Sequence, residues 1–178
     1  MKIDFAISFW IKNHFPTETL RRILGRWNRG EVFLIILLPI LYSAHGFRPF
    51  WLAFSYIVII AFINDRLVLF LKKIVSRGRP LISIAGKLDS NPDMKHSFPS
   101  AHSANSMVVV IVLVLAFQVS SWIFIFTILA GIGRLLSLHH FLSDLVGGWI
   151  VGLIVGLIAV GFWKFLIAQD FFIKSFLL

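Results

Sequence analysis

Cysteine is absent from this 178-residue sequence, which excludes disulfides, thiolate metal sites and cysteine nucleophiles. Charged side chains are scarce, at 14% of residues against about 25% in a soluble domain. Hydrophobic residues make up 58% of the chain, and the mean hydropathy is +0.90. The charge deficit falls in long continuous stretches, which is the pattern of membrane spans rather than of a soluble core.

Acidic residues are few: 8 Asp and Glu stand against 17 Lys and Arg, and the net charge is +9. In a soluble protein this excess would suggest nucleic acid, but the sequence shows neither a basic-aromatic sheet pattern nor a reading helix. The cations bracket apolar runs, which favours membrane lipids and lipid phosphates as partners and argues against nucleic acid. The N-terminal segment lacks the apolar core of a signal peptide, so no cleaved signal is expected.

The order of apolar runs predicts an all-α integral-membrane bundle in a single domain, 1–178. Residues 1–31 are amphipathic and basic, which predicts a helix lying in the head-group plane; the alternative is a docking helix of a soluble bundle. The transmembrane core, 32–167, is predicted to hold about five spans, and a tail follows at 168–178. The five apolar runs are 32–45, 50–70, 101–119, 122–138 and 142–167.

Two further patterns bear on the bundle. The polar loop 81–98 is longer than usual for compact helical connections, so it is a candidate lid over the substrate path. In the last run Gly148, Gly152 and Gly156 recur every four residues. Small residues on one helix face let another helix approach closely, so this stripe predicts a packing contact rather than chemistry.

One polar cluster lies between the fourth and fifth runs and contains Arg134, His140 and Asp144. On a helix, residues four apart share a face, so Asp144 is predicted to accept a hydrogen bond from one nitrogen of His140. The other nitrogen would then be available as a nucleophile or base. His139 points about 100° away on the same helix and is not expected to pair with Asp144.

Two other clusters precede it. Pro99 and Ser100 open an apolar helix, where they are expected to be N1 or N-cap residues whose exposed backbone N–H groups suit an anion. His102, one turn in, could protonate a leaving-group oxygen. Lys72 and Arg79 are seven residues apart and so share a helix face; taken alone, two such cations would be read as head-group anchors.

Asp65 interrupts the second run and has two open interpretations. It shares a seven-residue stripe with Lys72 and could support that ammonium from behind, or it could pair with Arg66 or with another span. Four other cations near the membrane boundary are interpreted as head-group anchors: Lys73, Arg77, Lys87 and Lys95.

Taken in order, the motifs Lys-x6-Arg-Pro (72–80), Pro-Ser-x-His (99–102) and Arg-x5-His-x3-Asp (134–144) resemble those of the type 2 phosphatidic acid phosphatase superfamily. The resemblance covers about residues 72 to 144. Gly133 stands where the family commonly has Ser, and Ala101 where Gly is common. The N-terminal part also lacks a full first span, whereas the family core often has six.

The resemblance implies a metal-free phosphoryl transfer without a cofactor. His140 would be the nucleophile that forms a phosphohistidine, Asp144 would orient it, and His102 would act as general acid and then general base. The phosphoryl oxygens would be bound by four residues: Lys72, Arg79, Ser100 and Arg134.

The motifs leave the lipid open among lipid A 1-phosphate, undecaprenyl diphosphate and phosphatidylglycerophosphate. A catalytically inactive membrane scaffold that binds lipid phosphates is the alternative function. Vanadium haloperoxidases share the site pattern, but apolar spans argue against that activity. The resemblance implies a multi-pass protein of the inner membrane with an extracytoplasmic site, whereas the positive charge near the motifs favours the cytoplasmic side.

Overall fold

The computed structural model describes residues 2–16, 18–20, 23, 39, 42, 47–84 and 96–168. Most of the first predicted run, the arginine-rich part of the N-terminal segment, most of the polar loop and most of the tail lie outside these residues. In the described ranges the chain is helical, with one isolated β-bridge between Gly78 and His96. The elements are α1 (Lys2–His14), α2 (Phe47–Val75), α3 (Pro80–Ser83), α4 (Ala101–Leu115), a 3-10 turn (Ser121–Ile123), α5 (Phe124–Leu136) and α6 (Leu142–Ala168).

Four predicted runs coincide with helices, and the boundaries have local causes. The second run extends to Val75, and Ser76 then adopts a left-handed conformation with φ 49°, which turns the chain out of the helix. Pro80 opens the short helix α3, since proline suits the first helical position. The third run ends at Leu115 rather than Val119, and a left-handed Gln118 (φ 54°) follows.

α4 is the central helix of the bundle and packs against α2, α5 and α6. Every residue from Val108 to Leu113 is buried, and a helix that is apolar all round belongs in the middle of a helical assembly. Three aromatic residues of the core form a cluster around Trp163. The ring centroid of Trp163 lies 4.9 Å from that of Tyr56 and 4.8 Å from that of Phe117.

The glycine stripe of α6 forms the contact with α4, as predicted. A Cβ added at Gly148 would lie 2.5 Å from the carbonyl oxygen of Ser100, and one at Gly156 would lie 2.8 Å from the Ile111 side chain. Gly152 likewise meets the backbone of Ala104. The two helix backbones therefore approach at a distance that no larger residue permits.

Among the described residues, two helices are long and apolar enough to cross a membrane, 50–75 and 142–168, and only 17% and 33% of their apolar windows are buried inside the protein. Large aliphatic and aromatic side chains cover their outer faces, among them Ile59, Phe62, Ile154 and Phe165, each more than half exposed. Apolar surface on this scale would be unfavourable in water and is matched by lipid. The helices α4 and α5 are also apolar but shorter.

Candidate active site

The turn between α5 and α6 places His140 beside Asp144. Leu138 is left-handed (φ 56°), which reverses the chain, and His140 and Phe141 precede the helix. Asp144 is the third residue of α6, and its Oδ2 accepts the N–H of Phe141 at 2.8 Å, as in a capping box. Nδ1 of His140 lies 3.6 Å from the same Oδ2. The expectation of two residues on one helix face is wrong: a helix start, not helical spacing, brings them together.

The imidazole of His140 lies in a buried and strongly cationic environment, with 3% of its side chain exposed. Burial lowers the pKa of His140 well below its ordinary value, and the positive charges of Arg79, Lys72 and Arg134 lower it further. At neutral pH the ring is therefore uncharged and keeps a nitrogen lone pair, which is the state a nucleophile requires.

Ser100 is the N-cap of α4, as the sequence suggested, while Pro99 precedes the cap. Its Oγ accepts the N–H of Ser103 at 3.4 Å and the Ser103 hydroxyl at 3.1 Å. Its own N–H donates to the backbone oxygen of Asp144 at 2.9 Å. Ser100 thus joins the start of α4 to the start of α6, and the N-terminal ends of both helices, with their positive dipole ends, meet at the site.

His102 is the second residue of α4 and faces the C-terminal end of α5. Arg134 contacts it there: the guanidinium Nη2 lies 3.1 Å from Nδ1 and also contacts Nε2. An arginine can only donate, so the imidazole nitrogen that it bonds is an acceptor. The second and third motifs are thereby in direct contact.

The two cations of the first motif are buried rather than exposed to head groups. Lys72 is 7% exposed, and its Nζ donates to the backbone oxygens of His96 at 3.0 Å and Ser97 at 3.4 Å. Arg79 is 3% exposed and donates to the oxygens of His139 at 3.2 Å and His96 at 3.4 Å. These bonds attach the first motif to the segments that carry the other two.

Arg77 is the residue that the sequence interpretation placed wrongly. It is not a head-group anchor: its Nη1 lies 2.8 Å from Oδ1 of Asp144 and 2.6 Å from Oγ of Ser143, and its Nη2 lies 3.0 Å from Asp4. Its guanidinium also stacks over the ring of Phe141 at 4.1 Å. Lys73 is exposed, whereas Lys87 and Lys95 lie outside the described residues.

In the structure Asp65 makes the contacts of its second interpretation, with Arg66 and with another helix. Its carboxylate pairs with Arg66 at 2.8 Å and accepts from the amide of Asn105 on α4 at 3.4 Å. Asn64 donates to the same Asn105 at 2.5 Å. Among the described hydrogen bonds and ion pairs, none joins Asp65 to Lys72, so its contacts are with its neighbour and with another helix.

A metal centre has no ready ligand set in this part of the molecule. Within the residues that the structure describes, no three His, Cys, Asp or Glu side chains converge so that they could hold a metal ion. The groups that do converge are cations and imidazoles, which suit an anionic substrate.

Comparison with known proteins gives one family and two related folds. The model of the PAP2 superfamily matches residues 48–167, which include all three motifs. The fold is similar to that of a transmembrane PAP2 type phosphatidylglycerolphosphate phosphatase from Bacillus subtilis (TM-score 0.66, 23% identity, 92% of this chain and 85% of that one). It is also similar to LpxE from Aquifex aeolicus (TM-score 0.50, 23% identity, 81% and 93%). No curated protein matches the sequence significantly.

Proposed function

Because the chain belongs to the PAP2 superfamily, we propose that it is a membrane lipid phosphatase that hydrolyses a phosphate monoester or diphosphate through a phosphohistidine on His140. One observation carries this proposal: three buried cations, Lys72, Arg79 and Arg134, surround an uncharged histidine. Buried cations grouped at one site attract negative charge strongly, because little water screens them. A phosphoryl group supplies that charge and presents phosphorus to the imidazole.

In the first half-reaction a nitrogen of His140 attacks phosphorus, and the bond from phosphorus to the lipid oxygen breaks. Asp144 accepts the hydrogen bond of the other ring nitrogen and stabilises the charge that develops on the imidazole; the present 3.6 Å separation has to shorten for this. His102 in its protonated form gives a proton to the departing lipid oxygen, and for this Arg134 has to release the imidazole nitrogen that it bonds in the structure. The cations stabilise the charge on the equatorial phosphoryl oxygens.

In the second half-reaction water attacks the phosphohistidine. His102 accepts the proton from the water, the phosphorus–nitrogen bond breaks, and inorganic phosphate leaves with its negative charge still bound by the cations. His140 returns to its neutral form and His102 to its protonated form, so the cycle consumes only water and the lipid substrate. No metal ion enters either half-reaction.

Three substrates are proposed: phosphatidylglycerophosphate, lipid A 1-phosphate and undecaprenyl diphosphate. The similarity of the fold to the phosphatidylglycerolphosphate phosphatase and to LpxE supports the choice of lipid phosphates. A panel of these lipids and phosphatidate, each offered in detergent to the purified protein with a metal chelator present, measures which one releases inorganic phosphate fastest. Loss of release in chelator, restored by Mg²⁺, would contradict the metal-free mechanism.

The proposed membrane arrangement is a bundle of about five spans with an interfacial N-terminal helix in the inner membrane. Exposed apolar side chains on α1, including Ile3, Phe9 and Trp10, support the interfacial placement. The active site is proposed to face the extracytoplasmic side, which puts the C-terminus in the cytoplasm. A C-terminal tag that is accessible only after the cells are permeabilised supports this orientation, and one accessible in intact spheroplasts contradicts it.

The alternative, an inactive scaffold that binds lipid phosphates, predicts binding without turnover. Vanadate, which resembles a phosphoryl group in its trigonal bipyramidal state, is expected to inhibit the phosphatase. Protein that binds a lipid phosphate but releases no phosphate from any lipid of the panel would favour the scaffold.

A further inference from the structure

Asp4, near the start of α1, reaches the first turn of α6. Its Oδ1 accepts the backbone N–H of Ser143 at 3.0 Å, and its Oδ2 accepts the Ser143 hydroxyl at 2.7 Å. Ser143 is the second residue of α6, so its N–H has no acceptor within the helix. A carboxylate 139 positions away in sequence thus caps the helix that carries Asp144, and its charge opposes the positive end of the helix dipole.

Arg77 connects this cap to the reaction centre. The guanidinium binds Asp4 with one nitrogen, at 3.0 Å, and Oδ1 of Asp144 with the other, at 2.8 Å. Because Phe141 N–H holds Oδ2 of Asp144 at 2.8 Å, both carboxylate oxygens are fixed. Oδ2, held in this way, is the oxygen that lies 3.6 Å from Nδ1 of His140.

The environment of Asp4 keeps it charged for this role. Burial raises the pKa of its carboxyl, but the hydrogen bonds from Ser143 and the ion pair with Arg77 lower it by more, so the net shift is downward. The apolar neighbour Phe5 packs on the ring of Phe141, with centroids 5.1 Å apart. α1 is therefore joined to the α5–α6 turn by polar and by apolar contacts.

We propose that Asp4 is a positioning residue of the phosphatase reaction and that α1 is part of the reaction centre, beyond its role at the membrane surface. Asp4 acts through Arg77 and Ser143 to hold the carboxylate of Asp144 where His140 can use it. The inference rests on the proposed function, since it assigns a residue to that reaction. It requires that loss of the Asp4 charge slows the chemical step and leaves phosphate binding intact.

The test compares Asp4→Asn with Lys2→Gln, an exposed change on the same helix, in the full-length protein in detergent. The substrate is the lipid of the panel that the wild type hydrolyses fastest, and orthovanadate probes the phosphate site. Asp4→Asn is expected to lower kcat roughly tenfold, in the range typical of residues that orient a reactive group through another. KM and the inhibition constant for vanadate should stay near their wild-type values. The thermal midpoint should fall by only a few degrees, because asparagine keeps the cap while the charge is lost. Every value of Lys2→Gln should stay near that of the wild type.

Arg77→Lys provides an independent variant, and it carries the test if Asp4→Asn does not fold. It keeps the charge, but an ammonium cannot bind both carboxylates with the fork of a guanidinium. We expect the same selective fall in kcat, and we expect Asp4→Asn to cost little more when added to Arg77→Lys, because both changes break one path.

Each other outcome contradicts a stated part of the account. An unchanged kcat in Asp4→Asn, or in Arg77→Lys where that variant carries the test, overturns the positioning role while leaving the proposed function in place. An equal fall in kcat, vanadate affinity and thermal midpoint indicates a purely structural role and also overturns it. If kcat of the double variant falls by the product of the two single-variant falls, the path through Arg77 is overturned. A wild type that hydrolyses no lipid of the panel overturns the proposed function, and this inference with it.

Discussion

Replacement of Gly148 by alanine tests the contact on which the whole site depends. The added Cβ would lie 2.5 Å from the carbonyl oxygen of Ser100 and 2.9 Å from Cβ of Ser103, where ordinary contact needs 3.4–4 Å. The oxygen belongs to backbone at a helix start, so α4 and α6 must separate by roughly 1 Å. Overpacking of this kind costs about 1–3 kcal/mol, from which the higher helix propensity of alanine recovers up to about 1 kcal/mol.

The expected net loss for Gly148→Ala is about 1–2 kcal/mol, which lowers the thermal midpoint by about 2–8 °C for a chain of this size. Gly161→Ala is the matched control: the same change on the same helix, with nothing within 4 Å of the new Cβ. Gly156→Ala meets the Ile111 side chain rather than backbone, so its loss should lie between the two.

Activity should follow the same order, because Ser100 N–H bonds the backbone oxygen of Asp144 across this contact. Thermal unfolding in detergent, monitored together with phosphate release, measures both effects. A Gly148→Ala protein that has the same thermal midpoint as the Gly161→Ala control and keeps wild-type activity would refute the packing argument.

Three further predictions concern single side chains. Burial and nearby cations hold the pKa of His140 well below 6.5, so its neutral form persists as pH falls through 6.5. The acid limb of kcat/KM that this group causes should therefore lie below pH 6.5. An acid limb centred at or above pH 6.5 that moves with substitution of His140 contradicts this prediction. The unfolded chain takes up the proton first, so stability should decline as pH drops below about 6.5. Ser100→Ala removes the N-cap of α4 and should cost about 1 kcal/mol with reduced activity, whereas Ser100→Gly should cost only a few tenths; equal melting of both variants and the wild type would count against the cap. Asp65→Asn should leave kcat near the wild-type value, since that carboxylate pairs with Arg66 and not with Lys72; a large fall in kcat would restore its link to the site.

The helices and the motif residues were predictable for a simple reason. Long apolar runs and prolines mark α2, α4, α5 and α6 locally, and their observed ends differ from the predicted ones by a few residues. Polar residues at the ends of such runs are too costly to be incidental. Those at positions 72, 79, 100, 102, 134, 140 and 144 come together in the structure because four helix ends, of α2, α4, α5 and α6, meet there.

The Asp4–Arg77 connection was not predictable from local pattern, since its partners are 73 positions apart in sequence. Arg77 at a membrane boundary has the sequence features of an anchor. One signal was available: Asp4 is the only acid before Glu18 in an otherwise apolar and basic segment. A lone carboxylate beside membrane lipid predicts a buried partner, and the sequence could not say which cation it is.

The geometry of the nucleophile was also only partly predictable. A spacing of four correctly suggested that His140 and Asp144 are neighbours, but the helix begins after His140. Backbone reversal at Leu138, a non-glycine residue with positive φ, has no local sequence signal. Such conformations persist where surrounding packing determines them, and Leu138 is fully buried.

The central claim is that His140 carries the phosphoryl group, and rapid quenching tests it most directly. Protein mixed with its best lipid phosphate and denatured in alkali is expected to carry phosphate on His140, detected by mass spectrometry as a modification that acid removes. His140→Ala should lack it and lose activity by on the order of 10³-fold or more. His139→Gln, a change at the neighbouring histidine whose ring nitrogen bonds the Ser137 hydroxyl, should retain it. Turnover by His140→Ala at the wild-type rate, or phosphate found on another residue, would contradict the account.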